Sequence, residues 1–209
     1  MNILIADDHA VVRRGLRDIL AEALPGVNFI EARTGDEVIS QLAKSPIGLA
    51  VLDINMPGRS GLDVLKDVKL SHPRLPVIIL SVQPEEQYAM RCLRSGAAAY
   101  INKESAAEEL ALAARKILGG GRYVSATLAE KLVSLIDEPA EKPLHEELSN
   151  REFEVMTMIA SGVHLTAIAD RLHVSVKTVS SYRARILEKM QMKSNADLTR
   201  YAIAHKLID

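Results

Sequence analysis

The chain has 209 residues, which suits one or two domains, and 48% of them are hydrophobic, enough to form a core in each. Its formal net charge of −1 indicates no particular class of partner. The one cysteine, Cys92, excludes an intrachain disulfide and a cysteine-based zinc cluster, while the absence of a basic leader or a bilayer-length apolar stretch predicts a cytoplasmic protein without a membrane partner.

Five short apolar runs alternate with helical patterns over the first 120 residues. The runs predict strands at residues 3–6, 28–32, 49–53, 76–81 and 98–102. Each is followed by a segment with apolar residues at three- and four-residue spacing, which is typical of amphipathic helices. Five such units predict an α/β domain with a doubly wound, five-stranded parallel sheet and helices on both of its faces.

The rest of the chain has a different character. A helical pattern at residues 126–136 runs into residues 137–147, where two prolines and several acids predict an exposed linker. From Ser149 onward there are four helical patterns and no strand, which predicts a small all-α module. The predicted organisation is therefore one domain over residues 1–122, a linker with a helix over 123–147, and a second domain over 148–209.

The stretch LAVLDINMPGRSGLDVL, residues 49–65, places Asp53 at the carboxyl end of a buried strand, before a turn rich in Pro and Gly. In open α/β sheets, ligands and reacting groups collect at this edge, so Asp53 is a candidate for chemistry. The alternative is that Asp53 only caps the turn through Asn55 or Gly58.

Other polar residues end or follow the neighbouring strands: Asp7 and Asp8, Ser81, and Lys103. Carboxylates at adjacent strand ends suit Mg²⁺ with a phosphoryl oxygen. Asp53 is then a nucleophile that accepts a phosphoryl group, Lys103 neutralises the charge that develops, and Ser81 donates a hydrogen bond to the product. The alternative is a structural ion-pair network at the sheet edge, with Ser81 as a solvated hydroxyl.

Four motifs make residues 1 to about 122 similar to the flavodoxin-like receiver domain of two-component response regulators. They are ADDH (6–9), VLDINMPGRSG (51–61), IILS (78–81) and AAAYINKES (97–105). The resemblance implies that Asp53 takes a phosphoryl group from a sensor histidine kinase or phosphotransfer protein, and that Ser81 and Tyr100 shift together. It also implies a Mg²⁺ site formed by Asp7, Asp8, Asp53 and the backbone carbonyl of Asn55.

One departure from the receiver pattern is visible, because Glu104 follows Lys103 where many receivers have Pro, so a cis peptide bond is not assumed. Three other interpretations are possible. An aspartyl-phosphate phosphohydrolase would typically place a second acid where Asn55 stands. A flavodoxin-like cofactor binder would need a phosphate-cradling loop in place of the acids of ADDHA, and a receiver that acts only through protein interactions would lack the last 60 residues.

The segments LTAIADRLH and VKTVSSYRARILEKM, separated by VS, have the proportions of a helix-turn-helix. Ser175 is placed to cap the second helix, and Val179, Tyr182, Ile186 and Met190 are expected to face the core. The polar face suits phosphates and base edges of double-stranded DNA. Its candidate contacts are Lys177, Thr178, Ser180, Ser181, Arg183, Ala184, Arg185 and Lys189. The alternative is an ordinary solvated helix face.

The sequences LSNREFEVMTMIASG, IADRL and VSVKTVSSYRARILEKM resemble the LuxR-type DNA-binding domain, and with the receiver they resemble the NarL/FixJ branch of response regulators. Two positions depart from that pattern: His173 stands in the turn where Gly is usual, and Ser180 stands where many members have Lys. The resemblance implies transcription regulation, in which phosphorylation of Asp53 changes dimerisation and DNA binding. It further implies that the last helix pairs in a homodimer, although Leu198, Tyr201, Ala202 and Leu207 suit an internal core equally well.

Overall fold

The computed structural model describes residues 1–134 and 143–208, apart from the side chains of residues 86, 87 and 131–134. The chain divides into two compact units, Met1–Glu138 and Pro139–Asp209. This division falls inside the predicted linker, and the end of the predicted helix at residues 135–136 lies outside the described residues. The predicted domain limits stay predictions. None of the helices in the described part of the chain combines the length and the apolar character that a membrane span requires.

The first unit contains a five-stranded, all-parallel sheet, which confirms the predicted fold class. Its strands are β1 (Asn2–Ala6), β2 (Asn28–Ala32), β3 (Leu49–Asp53), β4 (Val77–Ser81) and β5 (Ala99–Asn102). Their spatial order is β2-β1-β3-β4-β5. The winding reverses between β1 and β3, which is where open α/β sheets form a crevice at the carboxyl ends of their strands.

Helices connect the strands and cover the sheet. They are α1 (Ala10–Ala23), α2 (Gly35–Lys44), α3 (Gly61–Ser71), α4 (Glu85–Arg94), α5 (Ala106–Leu118) and α6 (Ala126–Ser134). Every residue of β3 and β4 is buried, as expected for central strands of a parallel sheet. Alternate strand residues such as Ile5, Val51 and Ile78 pack with Leu16 and Leu110 of α1 and α5 in one aliphatic core.

The segment after α5 stays with the first unit. Tyr123 lies inside the same aliphatic core, and its backbone N–H donates to the carbonyl of Ala98 at 3.1 Å. Ser125 then begins α6, because its hydroxyl accepts the N–H of Leu128 at 3.0 Å. The segment predicted as a linker therefore begins, at residue 123, with a residue that packs in the core of the first unit.

The second unit is helical in its described part, which confirms the predicted all-α module. It contains α7 (Asn150–Ala160), α8 (Leu165–Leu172), α9 (Val176–Lys189) and α10 (Asn195–Ala204), preceded by a short 3₁₀ helix at Leu144–Glu147. Sequence patterns missed the 3₁₀ helix, because its two acids and the preceding proline resemble linker composition. It is held by His145, whose backbone N–H and ring Nδ1 lie 3.3 and 3.0 Å from the hydroxyl of Tyr201.

Side-chain caps begin α7 and α9, and the cap at α9 confirms the role predicted for Ser175. Ser149 and Glu152 form a capping box at α7, and Ser175 accepts the N–H of Thr178 at 3.0 Å at the start of α9. The turn between α8 and α9 places His173 in the left-handed region, with φ of 52° and ψ of 43°. This is the turn position that the LuxR-type pattern usually gives to Gly, and a histidine there is strained relative to glycine.

Gly61 begins α3 at a place where no side chain fits. A β-carbon added to it would overlap the backbone oxygen of Asp53, and its own N–H donates to the carbonyl of Ile54 at 2.9 Å. We therefore expect Gly61→Ala to lower the free energy of unfolding of the first unit by about 1–3 kcal/mol, since the backbone that carries Asp53 must move. Denaturant unfolding of the full chain measures this change.

The matched control is Gly15→Ala. Gly15 lies in the middle of α1 with nothing within 4 Å of an added β-carbon, so alanine there is expected to stabilise the helix by up to about 1 kcal/mol. Equal effects of the two substitutions would contradict the steric argument.

Candidate functional site

The ends of β1, β3 and β5 bring three charged side chains into one pocket. Asp53 and Asp7 are 2% and 1% exposed, and the ammonium of Lys103 donates to Oδ2 of both carboxylates at 2.7 Å. Asp7 lies 96 positions and Asp53 lies 50 positions before Lys103 in the chain. The parallel sheet is what places them together, because it aligns the carboxyl ends of its strands at one edge.

Asp8 and His9 complete the acidic side of the pocket. Oδ1 of Asp8 is buried and accepts no hydrogen bond from the described residues, although the ring Nδ1 of His9 lies 2.8 Å from it in an ion-pair contact. Potential ligand atoms of Asp7, Asp8, His9 and Asp53 lie within 4.8 Å of one another. Clustered carboxylate oxygens, one of them without a hydrogen bond, fit a hard divalent cation such as Mg²⁺. His9 was not predicted, although it stands in the ADDH motif.

Burial and charge set the protonation of the central pair. Burial raises the pKa of Asp53, and neighbouring Asp7 raises it further, so that the pKa lies above its ordinary value although Lys103 acts to lower it. Burial acts to lower the pKa of Lys103, but the attraction of Asp53 and Asp7 outweighs burial and leaves that pKa raised. Lys103 therefore stays an ammonium, and the carboxylate form of Asp53 depends on it.

The turn after β3 also contacts Asp53. The backbone N–H of Asn55 donates to Oδ1 of Asp53 at 3.2 Å, so the turn-capping role and the contact with Lys103 occur together. The side-chain Oδ1 of Asn55 is buried and has no hydrogen-bond partner among the described residues. Asn55 therefore presents an unsatisfied oxygen in addition to its backbone carbonyl, which is the atom expected to hold a cation.

Ser81 and Tyr100 are joined through Gln83. The hydroxyl of Ser81, at the buried end of β4, accepts the N–H of Gln83 at 3.0 Å, and the hydroxyl of Tyr100 donates to the carbonyl of Gln83 at 2.6 Å. Burial raises the pKa of Tyr100 well above its ordinary value, although a hydrogen bond with Ser81 acts to lower it. The backbone N–H of Lys103 donates to the carbonyl of Ser81 at 2.8 Å, which links this pair to the acidic pocket.

Arg13 is a site residue that sequence reasoning missed. It is 4% exposed, its Nη1 donates to the backbone carbonyl of Asp7, and its Nε donates to Oε2 of Glu31, both at 2.8 Å. The clue was its position, because Arg13, Leu16 and Leu20 form the buried stripe of α1. A charged residue on a buried stripe indicates a partner inside the fold.

The face of α9 presents most of the predicted DNA contacts to solvent. Lys177, Ser180, Ser181, Ala184, Arg185 and Lys189 are exposed, and Thr178 and Arg183 are half-buried. Val179, Ile186 and Met190 are buried as expected. Tyr182 differs from the expectation, since it is only half-buried and lines a depression of about 270 Å³ together with Ser175, Lys177, Thr178, Ser181 and Arg185.

Two cationic side chains of α9, those of Arg183 and Lys189, have partners within the second unit. Nε of Arg183 donates to the side-chain oxygen of Asn195 at 2.6 Å, and Nζ of Lys189 donates to Oε2 of Glu152 at 2.6 Å. Burial acts to raise the pKa of Glu152, but its bonds with Lys189 and Ser149 outweigh burial and hold that pKa below its ordinary value. Lys177 and Arg185 form no ion pair with the described residues, so they are the better placed cations for phosphate contacts.

Most apolar residues of α10 and of the short segment after it are buried in the core of the second unit. Leu198, Ala202 and Leu207 are buried, and the hydroxyl of half-buried Tyr201 contacts His145. The internal-core interpretation therefore accounts for these residues. Ile203, at 55% exposure, is the large apolar side chain that α10 presents to solvent.

Two protein families match the chain, one for each unit. Residues 3–115 match the response regulator receiver domain, and residues 146–202 match the luxR family of bacterial regulatory proteins. The first match includes the acidic pocket with Ser81, Tyr100 and Lys103, and the second includes the helix-turn-helix.

Some relatives match along nearly the whole chain. The chain is 32% identical to the response regulator GacA of Pseudomonas protegens, covering 100% of this chain and 98% of the relative. It is 33% identical to the response regulator UvrY of Escherichia coli K12, covering 99% and 95%. RcsB of Salmonella enterica serovar Typhimurium, solved bound to the promoter rprA with the phosphomimetic BeF₃⁻, is 28% identical over 96% of this chain and 98% of its own, with a TM-score of 0.60.

We expect Lys103→Met to raise the pKa of Asp53 further. The substitution removes the positive charge and the hydrogen bond that lower this pKa, whereas burial and the charge of Asp7 remain. A pH titration of the Asp53 carboxyl carbon by NMR, in metal-free buffer, measures the shift. Lys66→Met, an exposed lysine on α3, is the control. An unchanged midpoint in Lys103→Met would contradict the argument.

Proposed function

This chain belongs to the response regulators that join a receiver domain to a LuxR-type DNA-binding domain, and we propose that Asp53 is its phosphoryl acceptor. The proposal rests on the position of the Asp53 carboxylate. It lies 2.7 Å from the Lys103 ammonium and is clustered with Asp7 and Asp8 at the carboxyl edge of the sheet. An ion-pair network alone would explain the Lys103 contacts. It would not explain the buried side-chain oxygen of Asn55, which has no hydrogen-bond partner among the described residues.

The proposed step is a phosphoryl transfer from the phosphohistidine of a sensor histidine kinase or phosphotransfer protein. A carboxylate oxygen of Asp53 forms a bond to phosphorus, the P–N bond breaks, and the departing imidazole takes up a proton. Lys103 balances the negative charge on the transferred oxygens. Asp7, Asp8, Asp53 and the carbonyl of Asn55 would hold Mg²⁺, which when bound supplies further charge neutralisation.

Ser81 and Tyr100 are the proposed switch. The Ser81 hydroxyl accepts the N–H of Gln83 through a lone pair, so its O–H can donate to a phosphoryl oxygen on Asp53, and a turn of the side chain toward that oxygen would change the contact with Gln83. The carbonyl of the same Gln83 accepts the hydroxyl of Tyr100, so the segment between β4 and α4 is held from both sides. Movement of Ser81 therefore changes the support of Tyr100.

Turnover of other substrates is not part of the proposal. Asn55 stands where an aspartyl-phosphate phosphohydrolase would typically have its second acid, so the pocket has no such general acid at that place. The chemistry we propose is self-phosphorylation from small phosphodonors and loss of the chain's own phosphoryl group.

The proposed output is binding of double-stranded DNA by the exposed face of α9. Lys177 and Arg185 contact phosphates, and Thr178, Ser180 and Ser181 face base edges in the major groove. The capped amino end of α9 adds a favourable dipole for phosphate. We further propose that activation promotes a homodimer, since two helix-turn-helix units together read two half-sites.

The acceptor is tested by DNA footprinting with and without a small phosphodonor and Mg²⁺, on DNA selected from a random pool by the phosphorylated protein. We expect the phosphodonor to increase DNA occupancy by the chain without a substitution. The occupancy by Asp53→Asn should not change, because an amide nitrogen does not accept the phosphoryl group. Asp18→Asn, an exposed acid on α1, is the control and should respond like the unmodified chain. Equal occupancy under all conditions would refute phosphorylation control through Asp53.

The α9 face is tested by the salt dependence of DNA affinity. We expect Lys177→Ala and Arg185→Ala each to weaken binding and to reduce the slope of log affinity against log salt by about one, because each removes one phosphate contact. Lys206→Ala, which removes an exposed charge beyond α10, should leave both quantities unchanged. The same loss in all three variants would indicate only a general charge effect.

A further inference from the structure

Arg13 of α1 and Glu31 of β2 form an ion pair next to the acidic pocket, and Arg13 contacts the backbone carbonyl of Asp7. We propose that Arg13, held by Glu31, positions Asp7 and Asp8 so that they can bind a divalent cation. The inference rests on the proposed function, since it concerns the cation site of the same pocket. Arg13 touches neither Asp53 nor a substrate in this arrangement, and it acts through the backbone of Asp7.

The backbone carbonyl that Arg13 holds belongs to the peptide group between Asp7 and Asp8. Nη1 of Arg13 donates to it at 2.8 Å inside the fold, where water does not compete. Because a peptide group is planar, fixing its carbonyl also fixes the nitrogen and the α-carbon of Asp8. Only the φ rotation and the side-chain torsions of Asp8 then remain to direct its oxygens, so their position depends in part on the contact that Arg13 makes with the preceding carbonyl.

The two acids differ in how they are held. Asp7 is tied at four atoms: its N–H donates to Ala32 at 3.2 Å, its carbonyl accepts from Arg13, and its carboxylate oxygens accept from the His9 N–H and from Lys103, both at 2.7 Å. Asp8, by contrast, has the buried oxygen without a hydrogen bond. Asp7 thus anchors the loop, whereas the Oδ1 of Asp8 is contacted at 2.8 Å by the exposed ring of His9.

The chemistry of the pair requires arginine. The guanidinium is a rigid planar fork, so Nη1 on the Asp7 carbonyl and Nε on Glu31 together set its orientation. Lysine keeps the charge but has a single flexible ammonium. Glu31, on the edge strand β2, also balances the buried positive charge, which would otherwise repel a cation in the neighbouring pocket.

Three possible roles of Arg13 make different predictions for cation affinity. If Arg13 acted only through its charge, Arg13→Met would strengthen cation binding, because a nearby positive charge is removed. If Arg13 only stabilised the fold, its variants would unfold at lower temperature with unchanged cation affinity. If it positions the acids, Arg13→Lys weakens cation binding although the net charge is the same.

The experiment measures binding of Mn²⁺ to the full chain by the electron paramagnetic resonance of free Mn²⁺, with Mg²⁺ as competitor, and thermal unfolding in the presence of chelator. We expect Arg13→Lys to raise the dissociation constant for Mn²⁺ about tenfold, as for other residues that orient ligands from behind a metal site. Arg13→Met and Glu31→Gln should also weaken binding. Arg17→Lys is the matched control, because Arg17 is one turn further along α1 and pairs only weakly with Asp18 at 3.4 Å.

Asp8→Asn separates failure of this inference from failure of the proposed function. If Asp8→Asn binds Mn²⁺ as the unsubstituted chain does, Asp8 is not a cation ligand, and both the ligand set proposed above and the positioning role fall. If Asp8→Asn loses binding while Arg13→Lys retains full affinity, only the positioning role is overturned. Tighter binding by Arg13→Met would also overturn it. Should Arg13→Met fail to fold, Arg13→Lys and Glu31→Gln decide the question.

Discussion

The contact of one ammonium with two buried carboxylates is the interaction on which the first unit's pocket depends. Lys103 lies within 2.7 Å of both Asp7 and Asp53, which are almost fully buried. Two carboxylates at this depth repel each other, and burial penalises their charged forms. Lys103 offsets both effects and joins the ends of three strands. Such a pocket suits the role that we propose for Asp53, because Lys103 favours its carboxylate form and burial strengthens the interaction with a phosphoryl group.

The sequence predicted this arrangement because two independent regularities coincide in it. Hydrophobic runs bounded by turns define strands closely, as at Leu49–Asp53, and parallel strands present their carboxyl ends together. Position along the chain therefore sufficed to group Asp53 with Lys103. Arg13 was missed because its function depends on what its side chain meets in three dimensions, a carbonyl and a carboxylate from other segments. Nothing in the spacing of α1 specifies those acceptors.

The helix-turn-helix has a similar division between what periodicity predicts and what packing decides. Three- and four-residue spacing correctly placed Val179 and Ile186 in the core. The same spacing placed Tyr182 there, but its large ring remains half-buried beside Lys177 and Arg185. The guanidinium carbon of Arg185 lies 6.0 Å from the centre of that ring. At this distance the face of the ring attracts the positive charge of the guanidinium. The tyrosine therefore contacts the cation that we propose for phosphate binding and is not simply a core residue.

The magnitudes of the contacts at Ser81 indicate where the switch must obtain its energy. Moving a two-state equilibrium from 1:99 to 99:1 requires about 5.5 kcal/mol of differential stabilisation. The bonds that join Ser81 and Tyr100 to Gln83 are between neutral groups, each contributing about 0.5–1.5 kcal/mol net, and they are lost or remade within the same segment. Hydrogen bonds to charged groups contribute about 1.5–3 kcal/mol each. In the proposed switch the greater part would therefore come from the phosphoryl group itself, through Ser81 and Lys103, and the neutral bonds of Gln83 would determine which backbone segment moves in response.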